Sequence, residues 1–159
     1  MRLLLFTIDE YRYGVPAEVV GEIVRAVAVT PLPNAPAVVE GVIDLRGAIV
    51  PVFDLRQRFG LPRRDVDPAD HFIIVRAPTR TGRRTAALHV DRVLELADVE
   101  DNAIQTLAGQ VQSADHVAGV AALADGLAVI HDVATFLSAA ESESLQAALD
   151  AALVASRGP

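Results

Sequence analysis

An internal repeat constrains the fold of this 159-residue chain more than any single motif does. When residues 41–59 are placed over residues 119–137, Gly41 matches Gly119 and Asp54 matches Asp132. An earlier stretch, residues 15–23, matches residues 88–96 in the same way. Self-similarity along a chain predicts copies of one structural unit. Each copy is too small for a generous core, so we expect the two to bury apolar surface against each other.

The repeated segment, residues 41–59, predicts the local structure of the first copy. Two short β-branched runs flank the pair Arg46-Gly47, which is typical of a tight β-hairpin. Asp54 then supplies a helix N-cap, because its carboxylate can accept hydrogen bonds from the free amides of the next turn. The sequence therefore predicts a strand, an Arg-Gly corner, a second strand and one helical turn.

The rest of the β body is predicted from the same signals. Alternating apolar runs joined by turn residues predict hairpins over residues 3–15 and 117–131, and strands at residues 72–75 and 85–90. Residues 63–69 carry alternating charges between nearby prolines, and we interpret them as a linker.

The C-terminal tail has a helical pattern instead. Ser138 and Glu141 have the spacing of a capping box. Apolar residues then form one stripe at helical spacing: Leu145, Ala148, Leu149, Ala152 and Leu153. We predict a helix over residues 138–155 that lies against the β body. Docking onto a partner helix is the alternative.

Composition argues against several classes of protein. The net charge of −7 argues against nucleic-acid binding, since phosphates demand a basic face. The chain has no cysteine, so it has no disulfide framework and no thiolate chemistry, which is compatible with the cytoplasm. No apolar run approaches the roughly 20 residues of a membrane span, and we expect a soluble chain without membrane insertion.

The sequence predicts no catalytic, cofactor or metal site. Asp91, Glu95 and Asp98 could be taken for paired catalytic carboxylates, but we interpret them as a solvated face near a strand end. The histidines are scattered singly, and each is interpreted as a surface or strand residue rather than a metal ligand: His71, His89, His116 and His131.

The repeat itself draws attention to Arg46. At the matching point the second copy has Ala124, so the fold unit does not require an arginine there. That difference favours a functional role for Arg46. An ion pair with Asp44 or Asp54 is the structural alternative.

Residues 41–59 closely resemble the signature of the CheW-like domain, found in the coupling proteins of bacterial chemotaxis arrays. Further family-like segments follow in order along the chain: residues 5–7, 13–15, 20–23, 33–36, 90–91, 119–120 and Asp132. The resemblance implies an all-β fold of two SH3-like five-stranded barrels packed side by side, with short helical turns and the C-terminal helix. We expect a single domain over residues 1–159, with approximate halves 1–66 and 67–137 between which strands can be exchanged.

The resemblance also implies a function. Members of the family are similar in role to adaptors that join the cytoplasmic tips of methyl-accepting chemoreceptors to the regulatory domain of the histidine kinase CheA. It therefore implies a non-catalytic cytoplasmic scaffold, monomeric in isolation and part of a larger array. A small β-barrel enzyme or ligand-binding domain with the same fold is the alternative, and it would need convergent polar groups in a pocket.

Four positions match the receptor-facing surface of the family. Arg46 matches an arginine near the groove between the barrels, where receptor helices bind. Val20, Gly41 and Leu96 match further positions on that surface, with Leu96 in place of the usual valine. The kinase contact is expected at the ends of the barrels, without an assigned residue.

Overall fold

The structure of the chain is a computed structural model that describes residues 1–79, 82–105, 117–133 and 137–156. Most of these residues form strands, as predicted, and short 3₁₀ turns lie at Ala17–Val19 and Asp101–Ala103. The strands and helices, in chain order, are β1 (Arg2–Ile8), β2 (Tyr11–Pro16), β3 (Val20–Arg25), β4 (Val39–Leu45), β5 (Ala48–Asp54), α1 (Leu55–Arg58), β6 (His71–Thr79), β7 (Gly82–Val90), β8 (Arg92–Asp98), β9 (Ile104–Gln105), β10 (Val117–Leu123), β11 (Gly126–His131) and α2 (Ala139–Ser156).

The strands form two sheets. The first sheet has the order β8-β1-β2-β11-β10-β9, and the second has the order β3-β6-β7-β5-β4. Neighbouring strands are antiparallel except for β11 with β2 and β5 with β7, which are parallel. The predicted duplicated all-β architecture is confirmed. The first sheet has six strands where five were predicted, because the short β9 pairs with β10.

The sequence repeat is a structural repeat. The hairpins β4–β5 and β10–β11 begin at matching positions. The second strand of each hairpin has a parallel neighbour in its sheet, β7 for β5 and β2 for β11. Val52 of β5 pairs with Ala87 of β7, and Ile130 at the matching position of β11 pairs with Gly14 of β2. The two sheets are therefore copies of one strand arrangement.

Each sheet nevertheless takes strands from both predicted halves, 1–66 and 67–137. β1 and β2 join β8 to β11 in the first sheet, while β6 and β7 join β3 to β5 in the second. The chain passes between the sheets at residues 17–19 and again at Asp91, the single residue between β7 and β8. This exchange ties the two units together, because neither sheet is complete within one half. The boundary between the halves stays a prediction.

Alternation along the strands divides the apolar side chains into three clusters, since successive residues point to opposite faces. Leu3 and Leu5 of β1 belong to a cluster within the first sheet, and Phe72 of β6 belongs to one within the second. Phe6 and Val75 belong to the largest cluster, which joins residues of both sheets. The two units thus bury apolar surface against each other, as the repeat predicted.

Helix α2 is confirmed together with its capping box. The backbone N–H of Glu141 donates to the Ser138 hydroxyl, and the backbone N–H of Ser138 donates to the Glu141 carboxylate. Leu145 and Ala148 are buried in the cluster between the sheets, so the helix lies against the β body. The apolar stripe is buried only in its first part, because Leu153 is 47% exposed.

Candidate functional site

Arg46 lies at the tip of the β4–β5 hairpin. Arg46 and Gly47 have φ angles of 49° and 88°, both positive as in the turns that best match the twist of a hairpin. The N–H of Gly47 donates to the Asp44 carboxylate at 2.7 Å, which holds the turn closed. The side chain of Arg46 is 70% exposed. The predicted Arg-Gly corner is thus confirmed, with its guanidinium presented to solvent.

The guanidinium of Arg46 is oriented by Glu22 of β3. Both terminal nitrogens donate to the Glu22 carboxylate, one of them to Oε2 at 3.2 Å, and this contact lowers the pKa of Glu22. The structural alternative, an ion pair of Arg46 with Asp44 or Asp54, is not formed, because their carboxylates bind the backbone at the turn and at the start of α1. An exposed ion pair of this kind contributes little to stability. Its effect is to fix the direction of the arginine.

Val20 and Leu96 lie on edge strands of different sheets. Val20 of β3 is half-buried, pairs with Val75 and packs against the cluster between the sheets. Leu96 of β8 pairs with Leu4 and is 56% exposed. Val20 lies two residues before Glu22, the partner of Arg46, on β3, whereas Leu96 is in the other sheet.

Gly41 is buried in β4, and its backbone explains its presence there. An added β-carbon would lie 2.1 Å from the carbonyl oxygen of Thr30, and the φ angle of Gly41 is +156°. Gly119, its match in the repeat, has the same constraint, with an added β-carbon 2.6 Å from the carbonyl oxygen of Gln105. Both glycines sit beside a shift in strand register. Close approach of a second backbone requires glycine at these points.

A cluster of charged side chains joins the two sheets at Asp91, where the chain crosses from one sheet to the other. This cluster was not predicted from the sequence. Arg56 is only 5% exposed and donates to the carboxylates of Asp9 and Asp91, each at 2.7 Å. Arg64 donates to Asp91 at 2.6 Å and to Asp70 at 2.8 Å. We call this set the ionic cluster; its members are Asp9, Glu40, Arg56, Arg64, Asp70, His89 and Asp91.

The ionic cluster corrects one interpretation made from the sequence and adds a contact to another. The interpretation of Asp91 as part of a solvated face is wrong, because its side chain is only 22% exposed and contacts two arginines. Residues 63–69 have no regular secondary structure, but Arg64 ties them to the body. Burial alone would raise the pKa of Asp91, yet the N–H of Asp9 and the guanidinium of Arg56 outweigh it and lower the pKa.

The histidines differ in their surroundings. His89 lies on strand β7, as predicted, but is buried between carboxylates, and His131 is buried with its ring edge against Phe59. His116 lies outside the described residues. Among the residues that the structure describes, no group of three or more histidine or acidic side chains could hold a metal ion.

Comparison with known proteins decides the family. A sequence model of the CheW-like domain matches residues 2–141. The chain belongs to the CheW-like domain family. Helix α2 lies almost wholly beyond this match.

CheW proteins of several bacteria are similar to this chain. The chemotaxis protein CheW of Treponema pallidum is 26% identical over 91% of this chain and 86% of the relative. A probable chemotaxis protein CheW of Rhizobium etli is 36% identical over 65% of this chain and 64% of the relative, so this alignment spans less than two thirds of either protein. The crystal structure of the scaffolding protein TtCheW from Thermoanaerobacter tengcongensis has a TM-score of 0.77 and 30% identity, over 88% of this chain and 94% of that one.

These similarities identify the chain as a chemotaxis coupling scaffold. The CheW-like family is one of non-catalytic adaptors, so the alternative of a small β-barrel enzyme is not supported. None of the helices within the described ranges is long and apolar enough to cross a membrane.

Proposed function

We propose that this chain couples methyl-accepting chemoreceptors to the histidine kinase CheA in a chemotaxis-type signalling array. The observation that carries the proposal is the family match over residues 2–141, supported by the TM-score of 0.77 to a CheW scaffolding protein. The chain acts in the cytoplasm, is a monomer in isolation, and binds the receptor tips and the kinase regulatory domain at separate surfaces.

The receptor surface is proposed to centre on Arg46. A guanidinium has five donors in a fixed fork, which suits the carboxylates and backbone carbonyls of a docked helix. Arg46 is exposed at a rigid turn and oriented by Glu22, so little freedom remains to be lost on binding. Val20, on the strand that carries Glu22, and Leu96, on the other sheet, add apolar surface.

Gly41 supports this surface indirectly. It has no side chain to offer, and its backbone is covered by Thr30. We infer that Gly41 keeps β4 in place and thereby positions Arg46 at the end of the same strand. A change at Gly41 would reduce receptor binding through the fold rather than through a lost contact.

A pair of titrations tests the receptor surface. Truncation of a hot-spot arginine costs about 2 kcal/mol or more, or roughly a 30-fold loss of affinity. Arg46→Ala should therefore weaken binding of a receptor cytoplasmic fragment by about that factor, while binding of the kinase regulatory domain and the thermal midpoint stay nearly unchanged.

Two further variants complete this test. Arg63→Ala removes an exposed arginine from residues 61–70, at the other end of the hairpin, and should leave both affinities unchanged. Glu22→Gln keeps the shape of the side chain but loses its charge, and it should weaken receptor binding less than Arg46→Ala does. If Arg46→Ala lowers only the thermal midpoint and both affinities survive, the receptor surface lies elsewhere.

A further inference from the structure

His89 occupies an unusual position inside the ionic cluster. Its side chain is 3% exposed, and each ring nitrogen lies against a carboxylate. Nδ1 is 2.6 Å from Glu40 Oε1, and Nε2 is 2.7 Å from Asp70 Oδ2. Glu40 belongs to β4, and Asp70 directly precedes β6, so the ring joins three parts of the second sheet.

The chemistry of these two contacts requires an additional proton. A neutral imidazole has one N–H donor and one acceptor nitrogen, whereas an ionised carboxylate can only accept. Two carboxylates on one neutral ring would therefore leave two acceptors facing each other. Both contacts are satisfied when the ring carries a proton on each nitrogen, or when one of the carboxyl groups is protonated.

The charge balance of the ionic cluster favours the protonated ring. Four carboxylates are in the cluster, and only two guanidinium groups oppose them: Asp9, Glu40, Asp70 and Asp91 against Arg56 and Arg64. Buried charges are stable in proteins only when they are paired. A positive ring at His89 lowers the excess negative charge of the ionic cluster from two to one.

Within the part of the chain that the structure describes, the other elements packed around His89 place no positive group against its ring. From β6, the edge of its ring meets Phe72 with the centroids 5.6 Å apart. From β5, the paired residue is Asp54, whose carboxylate is used to cap α1. Arg64 reaches the site only through the second oxygen of the Asp70 carboxylate. Negative groups therefore dominate the surroundings of the ring.

We propose that His89 is a buried imidazolium that holds β7, the start of β4 and residues 61–70 together, and that loss of its proton in alkaline solution opens this link. The proposal goes beyond the coupling function. Asp70 also accepts a hydrogen bond from Arg64, which in turn donates to Asp91, where the chain crosses between the sheets. Glu40 is bonded directly to Gly41 in the backbone of β4. Deprotonation would thus loosen the end of the molecule opposite Arg46.

The expected pH dependence follows from the same contacts. Burial by itself lowers the pKa of His89, but the carboxylates of Glu40 and Asp70 outweigh it and raise the pKa above the ordinary value of 6.5. The stabilisation from this ring is then complete below about pH 6.5, the pKa in the unfolded chain. It is lost as the pH rises through the raised pKa of the folded state.

Nuclear magnetic resonance of the histidine ring nitrogens in the full chain tests the proposal. The His89 signals are assigned by their loss in His89→Gln. We expect both ring nitrogens to be protonated at pH 7 and to titrate at a higher pH than an ordinary histidine does. Glu40→Gln should shift this titration to lower pH, whereas Glu18→Gln, at an exposed carboxylate in the first 3₁₀ turn, should leave it in place.

Backbone amide exchange tests the structural consequence. The N–H of Asp67 donates to the Asp70 carboxylate, and the N–H of Ala26 donates to the Asp70 carbonyl. Protection is the slowing of exchange relative to the unfolded chain. We expect these two amides of the wild type to lose it as His89 deprotonates. An unprotonated ring nitrogen at pH 7 would overturn the proposal and place the proton on a carboxyl group. Unchanged protection across the titration would overturn the link to residues 61–70.

Discussion

At the scale of single residues, Gly41 has the least room for a side chain among the glycines that the structure describes. We expect Gly41→Ala to lower the free energy of unfolding by about 3 kcal/mol or more, because the added methyl group meets the Thr30 carbonyl at a strained φ angle. Urea unfolding at neutral pH measures this cost. Gly47→Ala is the matched control, since nothing lies within 4 Å of its added methyl group and only backbone strain of about 1 to 2 kcal/mol remains. Equal costs for the two variants would contradict this explanation.

Asp91 is one of the residues through which acid should act on the fold. Its pKa is lowered in the folded state, so its stabilising contribution is present above about pH 4 and is lost as the pH falls through the lowered value. Asp91→Asn leaves Arg56 buried with one carboxylate fewer and should cost about 3 kcal/mol at pH 7. Urea unfolding at pH 7 and near pH 3 should show that the difference between wild type and variant shrinks in acid.

Asp98→Asn is the control for this prediction. Its pair with Arg2 is well exposed, so its loss should cost less than about 1 kcal/mol at either pH. A pH-independent cost for Asp91→Asn would mean that the buried arginine is stabilised by other groups.

Single residues also show where sequence analysis stops. The position of Arg46 at a hairpin tip followed from local turn chemistry, but its partner Glu22 did not, because the two lie 24 residues apart and meet only in the folded chain. The ionic cluster was missed for the same reason: Arg56, Asp91 and Asp9 are far apart in the chain. A local signal did exist at His89, a polar residue within an apolar strand.

At the scale of elements, helix α2 is expected to stabilise the domain through its first turns. Leu145 is fully buried in the cluster between the sheets, so Leu145→Ala should cost about 2 to 5 kcal/mol of unfolding free energy. Val154 on the same helix is 72% exposed, and Val154→Ala should cost less than about 0.5 kcal/mol. If both variants melt like the wild type, the helix is held by other contacts and the predicted docking does not stabilise the domain.

The elements were the most predictable level of this structure. Periodicity and capping signals placed the hairpins and α2 because both depend on neighbouring residues. The end of the apolar stripe was misjudged, since periodicity at Ala152 and Leu153 says which face is apolar and not where the β body ends. The sixth strand, β9, was also missed, because two residues carry too little pattern to be read.

At the scale of the whole molecule, the two sheets should unfold together. The largest apolar cluster joins them, and each sheet contains strands from both halves of the chain. We expect one cooperative transition in urea, in which amide resonances of β5 and β11 lose intensity at the same concentration. Persistence of one sheet after the other has unfolded would contradict a shared core.

The repeat predicted two units, whereas the exchange of strands between them was expected from the family resemblance and not from the repeat. The apolar pattern within β1 and β2 is the same whether these strands pair with strands of their own half or with β11 of the other half. The choice depends on the two crossings, at residues 17–19 and at Asp91, and on burial between the sheets. Such long-range contacts leave little trace in the sequence of one chain.

Reconstitution of the three components tests the coupling function most directly. A receptor cytoplasmic fragment is attached to vesicles, CheA and this chain are added, and the kinase that sediments with the vesicles is measured. We expect CheA to sediment only when this chain is present, and we expect Arg46→Ala, but not Arg63→Ala, to reduce the amount greatly. Equal sedimentation of CheA with and without the folded chain would contradict a coupling role.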